Sequence, residues 1–406
     1  MTITTLSPKQ FRNQIVGLAR VGEEAIPRCQ HAIDCGGCTF QQLSYAAQVE
    51  AKHAALRTLW SGDLSSDQIA AIGMVGSPDP FNYRTRMDYV CSKDRFGLRR
   101  SGKYNYIIDL AECHLIPNHA FAIARSVYSK AIELGLPDYN LRSHVGFLRY
   151  VVVRRSPSDQ LLLAFITAAP DAAGQYEAAI EQVATLALAT PGVQGFHWLV
   201  NETVTDISFG QSHRIWGSAT LSMPVGERTL AIGPNTFFQN NVHLLLPLLD
   251  DVANLVGRAG CVADLYGGVG TIALHLANQV ESIITVESVA ESAQLARINS
   301  QANQLSNVQA VEADTLAYLR GVDPGQFDVI VADPPRAGMG PDVCRELLRI
   351  RPQRIVYVSC NALTQLDDLR ALVPGYQLRE LRGYDMFPQT PHLEALALLE
   401  ALPATP

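Results

Sequence analysis

No apolar run in this 406-residue chain approaches the roughly 20 residues needed to cross a bilayer. The opening stretch, Met1 to Arg20, lacks the continuous apolar core of a secretion signal. A cytoplasmic protein with no membrane partner is therefore expected. Charge is also sparse: Asp, Glu, Lys and Arg make up 17% of the chain, and the formal net charge is −7. That balance excludes a protein that coats nucleic acid by bulk positive charge, while leaving room for a local basic patch. Between residues 29 and about 232 there are no internal repeats or low-complexity tracts. With 48% hydrophobic residues, the chain can build two or three cores.

Cysteine is what the chain does have in an unusual place. Of eight cysteines, Cys29, Cys35 and Cys38 fall within ten residues, as C-x5-C-G-G-C. In a reducing compartment such clustering favours a metal or cluster over disulfides. The Gly36-Gly37 pair lets the backbone fold tightly around a bound group. An iron–sulfur cluster wants four thiolates. Cys113, in Asp109-Leu-Ala-Glu-Cys-His-Leu-Ile-Pro117, is the first candidate for the fourth and Cys91 the second. Zinc is the chemical alternative, since four thiolates suit it equally.

Residues 1–28 read as a short lead-in. Residues 29–232 read as an α+β domain rich in strands. Tyr83 to Ile108 alternates like a pair of strands turning at Ser101-Gly102, and Phe147–Ser156 with Leu161–Thr167 reads as a hairpin. Between Arg84 and Lys103 lie seven basic residues against Asp88 and Asp94, with Tyr83, Tyr89, Phe96, Tyr104 and Tyr106 among or beside them. Cations interleaved with aromatics suit a polyanion whose bases stack, which points to RNA; the competing reading is an ordinary solvated face.

From Gly233 to the C-terminus the pattern becomes βα. Cys261-Val-Ala-Asp264-Leu-Tyr-Gly-Gly-Val-Gly270 is a strand feeding a glycine-rich turn and a helix. Strands ending in Glu287, Asp314 and Asp333 follow, then Arg354–Ser359 with Cys360 at its end. Repeated βα units predict a parallel, doubly wound sheet with ligands at the strands' carboxyl ends. The last segment, Gln377 to Leu399, has no helix between its strand-like halves and reads as a hairpin closing the sheet antiparallel. The fold class is thus α/β, a Rossmann-like sheet behind an N-terminal α+β domain.

A glycine-rich turn serves nicotinamide and adenosyl cofactors alike. Asp264 suits a cationic amino-acid moiety better than a pyrophosphate. Glu287 can accept from both ribose hydroxyls, and Asp314 can meet an adenine amine, so S-adenosylmethionine is the favoured ligand. In Asp333-Pro-Pro-Arg336 two prolines stiffen a carboxylate beside Cys360. A pyrimidine C5 is a poor nucleophile and needs covalent help, which a thiol adding at C6 provides. A base must then remove the C5 proton. Glu394, in Phe387-Pro-Gln-Thr-Pro-His-Leu-Glu394, is the candidate, and His392 shares its strand face.

These residues resemble the RNA uracil-5 methyltransferase family. The resemblance rests on Asp264–Thr271, Asp333-Pro-Pro-Arg, Ser359-Cys-Asn, Phe387-Pro-x-Thr-x-His-x-Glu394, Phe237-Phe238-Gln239 and the cysteine motif. It implies that Cys360 is the nucleophile and Glu394 the base. It places Gln239, Tyr266, Glu287 and Asp333 at the S-adenosylmethionine site. It also implies a [4Fe-4S] cluster on Cys29, Cys35, Cys38 and Cys113; separately, a monomer is expected. Ala362 after Ser-Cys-Asn, and Asp385-Met-Phe-Pro, look most like the ribosomal branch, so 23S rRNA is the expected substrate. The alternatives are a tRNA T-loop uridine or a non-catalytic RNA-binding relative. The family usually has Cys where Gly267 stands, a departure expected to be tolerated because that position is not a motif ligand.

Overall fold

The computed structural model describes residues 6–403. Their C-terminal part is an eight-stranded sheet. Its centre is five parallel strands, in the order Val308–Glu312, Val280–Glu287, Ala259–Leu265, Val329–Ala332, Arg354–Ser359. Val329–Ala332 and Arg354–Ser359, buried on both faces, read as nearly continuous apolar runs. Their order reverses between Ala259–Leu265 and Val329–Ala332, the switch point where a crevice opens. Glu394–Ala401 then pairs antiparallel with Arg354–Ser359, and Tyr376–Tyr384 antiparallel with Glu394–Ala401. That is the closing hairpin the sequence predicts.

The eighth strand comes from far away. Gly73–Val75 pairs parallel with Arg382–Tyr384 at the sheet's edge. Helices Pro8–Ala19 and Tyr45–Trp60 bury Phe11, Ile15, Leu56 and Trp60 in the same core as Tyr357, Leu366 and Leu393. Residues 6–28 of the lead-in and the start of the 29–232 segment therefore pack, in part, on the C-terminal sheet. The reason is that a three-residue strand and two amphipathic helices have no core of their own to bury into. Helix Pro8–Ala19 starts sharply: the Ser7 hydroxyl accepts from the Gln10 amide, the Gln10 side chain answers, and Pro8 occupies the first turn.

The remaining strands form a seven-stranded sheet: Lys103–Asp109, Arg95–Arg100, Arg86–Ser92, Leu148–Arg155, Leu161–Thr167, Val193–Val200, Gln211–Gly217. Leu161–Thr167 and Val193–Val200 run parallel, joined by the crossover helix Glu177–Leu188, and the other neighbours are antiparallel. Where the sequence predicts two strands over Tyr83–Ile108, there are three. Lys93 and Asp94 both adopt left-handed backbone, φ 56° and 57°, and make a tight turn without glycine or asparagine to mark it.

The two sheets meet along Tyr83–Arg86 and Gln239–Val242. Thr85 N–H donates to the Asn240 carbonyl at 3.0 Å, its hydroxyl to the Gln239 carbonyl at 3.0 Å, and Val242 N–H to Tyr83 O at 3.0 Å. Arg86 donates to the carbonyls of Pro234 and Ser208, and buried Arg154 to those of Pro234 and Thr236. Arg154 is thus structural despite its charge.

Candidate active site at the sheet switch point

Cys360 and Glu394 arrive at one spot from opposite directions. Ser359 is paired with Ala395 across antiparallel strands, so the next residue on each side, Cys360 and Glu394, stands at the carboxyl end of the sheet. Asp333 ends the neighbouring parallel strand. Glu394 is 1% exposed and its Oε1 has no hydrogen-bond partner among the described residues. Burial pushes its carboxyl well above the ordinary range, and Asp333 adds to this while Arg336 opposes it. The Cys360 thiol is pushed up to about 12, first by burial, then by Glu394 and Asp333; Arg336 draws it down. His392 is pushed down to about 4 by burial and by Arg336, Arg12, Lys52 and Arg84. It is a neutral imidazole at pH 7.

A cleft beside these groups is lined by Phe237, Gln239, Tyr266, Gly268, Thr271 and Asp333. Gln239 Nε2 donates to Asp333 Oδ2 at 3.0 Å, and burial raises the Asp333 carboxyl to about 7. Asp264 is fully buried: Oδ2 accepts from Thr285 at 2.9 Å while Oδ1 has no partner among the described residues. Burial, with Asp333 and Glu287 adding, raises it to about 7. An unpartnered carboxylate oxygen under a glycine-rich turn fits a cationic ligand such as a sulfonium amino acid. The turn needs its glycines where the backbone is left-handed at Gly268 and Gly270, φ 55° and 87°.

Glu287 borders this cleft indirectly. Its Oε2 accepts from the Gly268 amide at 3.0 Å and its Oε1 from Val289 N–H at 2.7 Å. Asp314 lies off the cleft's lining and caps helix Thr315–Arg320 through the Ala317 amide, 2.9 Å. Gly267 is tightly enclosed. A Cβ there would overlap Thr285 Oγ1 and come within 2.9 Å of Asp264 Oδ2, so no side chain is accommodated while Thr285 holds Asp264.

Cys29, Cys35, Cys38 and Cys113 line a single pocket. Burial raises Cys29 to about 11, Cys35 to about 12 and Cys38 to about 11. Backbone amides of His31 and Gly37 point at the sulfurs of Cys29 and Cys35, 3.4 Å each. Among the described residues, no three His, Cys, Asp or Glu side chains are grouped as ligands of a metal ion. Cys91 is buried in the strand Arg86–Ser92, away from this lining.

The basic, aromatic segment is more self-satisfied than its sequence implies. Arg99 and Tyr104 both bind Asp206, and Arg100 binds Asp34 at 2.6 Å. Arg95 stacks on Tyr106 at 4.5 Å. Lys93 and Lys103 are exposed. Three features escape the sequence reading. They are the Lys52–Asp385 ion pair, the docking of helix Pro8–Ala19, and the position of Arg336 against Cys360. Only the last had a signal, the motif Asp-Pro-Pro-Arg.

A family model for tRNA (uracil-5-)-methyltransferase matches residues 220–402. A tRNA (uracil(54)-C(5))-methyltransferase of Pyrococcus horikoshii is 31% identical over 376 residues, spanning 92% of this chain and 85% of that protein. An uncharacterized RNA methyltransferase of Nitratidesulfovibrio vulgaris is 33% identical over 405 residues, spanning 94% and 84%. Among solved structures, the tRNA (uracil-54, C5)-methyltransferase of Pyrococcus abyssi, in complex with S-adenosyl-L-homocysteine, superposes with a TM-score of 0.76. It is 29% identical, and the match covers 90% of this chain and 86% of that one.

Proposed function

We propose, for a chain that belongs to the RNA uracil-5 methyltransferase family and methylates uracil C5 in RNA from S-adenosylmethionine, that Cys360 is the nucleophile and Glu394 the base. The observation that carries this reading is their meeting at the sheet's carboxyl end, with Asp333 on the next strand. S-adenosylmethionine supplies an electrophilic methyl group. The Cys360 thiolate adds to uracil C6, forming a C–S bond and making C5 a carbon nucleophile. C5 takes the methyl group as the methyl–sulfur bond breaks and S-adenosylhomocysteine departs, so that C5 carries the new methyl and its original proton. Glu394 takes that proton, the C5–C6 double bond re-forms, and the thiolate leaves.

Gln239, Tyr266 and Asp333 are assigned to the cofactor, with Glu287 ordering the Gly268 turn. Asp314 joins them only if its helix cap is exchanged for a ligand contact. The four thiols are assigned to a [4Fe-4S] cluster, supported by their shared pocket and the amides aimed at sulfur. Anaerobically purified protein should carry about four irons per chain; one zinc per chain instead would reassign the site. Although the sequence favoured 23S rRNA, the relatives named for a substrate act on tRNA, so a tRNA T-loop uridine is the substrate proposed here.

Denaturing gels test the chemistry. Glu394→Gln keeps shape but not basicity, so it should methylate once and stay attached to RNA as a shifted band. Cys360→Ala should give neither product nor band. Normal turnover by Glu394→Gln would hand the proton to another base. Assays on tRNA and 23S rRNA fragments decide the substrate: transfer confined to 23S fragments overturns the tRNA assignment.

A further inference from the structure

Helix Pro8–Ala19 lies outside every motif named so far, yet it forms one wall of the pocket that holds Cys360. Pro8, Lys9 and Arg12 face Arg336, Cys360 and His392 across that pocket. The helix is fixed there by Phe11, Ile15 and Ala19, all buried. Its other face leaves Lys9 and Arg12 exposed, and Arg336 is exposed opposite them. No acidic residue lines the pocket among the described residues, and none of the three cations enters an ion pair there. In a chain of net charge −7, three cations without ion pairs line the mouth of this pocket, while Asp333 and Glu394 stand behind the thiol.

We propose that Lys9 and Arg12, together with Arg336, hold the phosphates that flank the uridine presented to Cys360, so that helix Pro8–Ala19 is part of the RNA site. The inference rests on the reading of Cys360 as nucleophile. A base that reaches a half-buried thiol must leave its stack, and its two phosphates then lie at the pocket mouth. Cations at that mouth position the backbone without reading sequence. Arg336 serves twice, since it also favours the thiolate of Cys360.

The test uses the full chain carrying Lys9→Gln and Arg12→Gln together. Each lost contact to a single strand removes about 0.7 from the slope of log affinity against log salt. The pair should therefore flatten that slope by about 1.4 and raise KM for RNA roughly tenfold near 0.1 M salt. The loss should fall on KM rather than kcat, with S-adenosylhomocysteine affinity and the thermal midpoint held. Lys9→Arg with Arg12→Lys should restore the slope, which a packing role would not require. An unchanged salt slope in the glutamine pair overturns the proposal. Cys360→Ala, measured in parallel, separates the two failures. If it is dead while the glutamine pair keeps the original slope, only the phosphate contacts are wrong. If it turns over, the nucleophile reading fails and the clamp with it.

Discussion

Gly267 is where a single missing atom matters most. Thr285 fills the space a Cβ would need, and in doing so donates to Asp264. Gly267→Ala should cost about 1–3 kcal/mol, as overpacked cores do, and weaken S-adenosylhomocysteine binding through Asp264. Adding Thr285→Ala should recover part of the stability, because the clash goes. Equal, additive losses in calorimetry would show that the two positions do not share that space. The sequence showed the glycine but not the neighbour, since a contact across parallel strands has no local signature. His392 carries a second prediction. Its folded value of about 4 lies below the ordinary 6.5, so neutral His392 is favoured by folding. Stability from this group is complete above pH 6.5 and is lost as pH falls toward 4. His392→Gln should flatten denaturation midpoints across that window; an unchanged acid limb would place the sensitivity elsewhere. Cys360 and Glu394 were legible as residues because each sits at a strand end beside short, unusual motifs. Their adjacency was not legible, since it depends on antiparallel register.

At the scale of elements, the loop from Asp385 to His392 is tied down by a helix remote in sequence. Lys52, on helix Tyr45–Trp60, meets Asp385 at 2.5 Å with both side chains fully buried, and also donates to Phe387 O at 3.2 Å. Gln48, one turn earlier, exchanges hydrogen bonds with Gln389 at 3.0 Å each way. Removing one partner of a buried pair strands the other charge, at about 3–5 kcal/mol. Lys52→Met should therefore destabilise strongly and slow proton removal by misplacing Glu394. Lys52→Met with Asp385→Asn should regain most of the stability. Differential scanning calorimetry of the single and double variants checks this; a double variant as weak as the single would mean that the loss is one of packing. The βα units were readable because their apolar runs end in glycine, acid or cysteine. Helix Pro8–Ala19 was passed over as lead-in because a helix's partner cannot be read from its own periodicity. The turn at Lys93-Asp94 was missed because two charged residues carry the left-handed backbone that glycine or asparagine usually announces.

At the scale of the molecule, the two large sheets are joined in part through backbone carbonyls. Arg86 and Arg154 reach Pro234 and Thr236, and Tyr83–Arg86 lies beside Gln239–Val242. Arg154, with burial pressing its guanidinium down to about 9, has no carboxylate partner among the described residues and relies on those carbonyls. The wild-type chain should unfold in one transition. Arg86→Ala should split that transition or broaden it, read by calorimetry alongside circular dichroism. A single, sharp and merely lower transition would show that the sheets are held together elsewhere. Neither the composition nor the periodicity announced this joint, because arginines on a strand ordinarily read as surface or as RNA contacts.

The bond from Thr85 to the Gln239 carbonyl has a thermodynamic consequence. Gln239 steadies Asp333 in the cofactor cleft, while Thr85 opens the first strand pair of the sheet that carries the exposed Tyr104 and Tyr106. Ordering one end of that relay should lower the entropic cost of ordering the other, which makes the coupling a prediction. Linkage is reciprocal, so whatever factor RNA contributes to the affinity for S-adenosylhomocysteine must be returned, undiminished, to the affinity for RNA. Thr85→Val, which keeps the volume and deletes the hydroxyl, should shrink both factors together, so that the order in which the two ligands arrive ceases to matter to either.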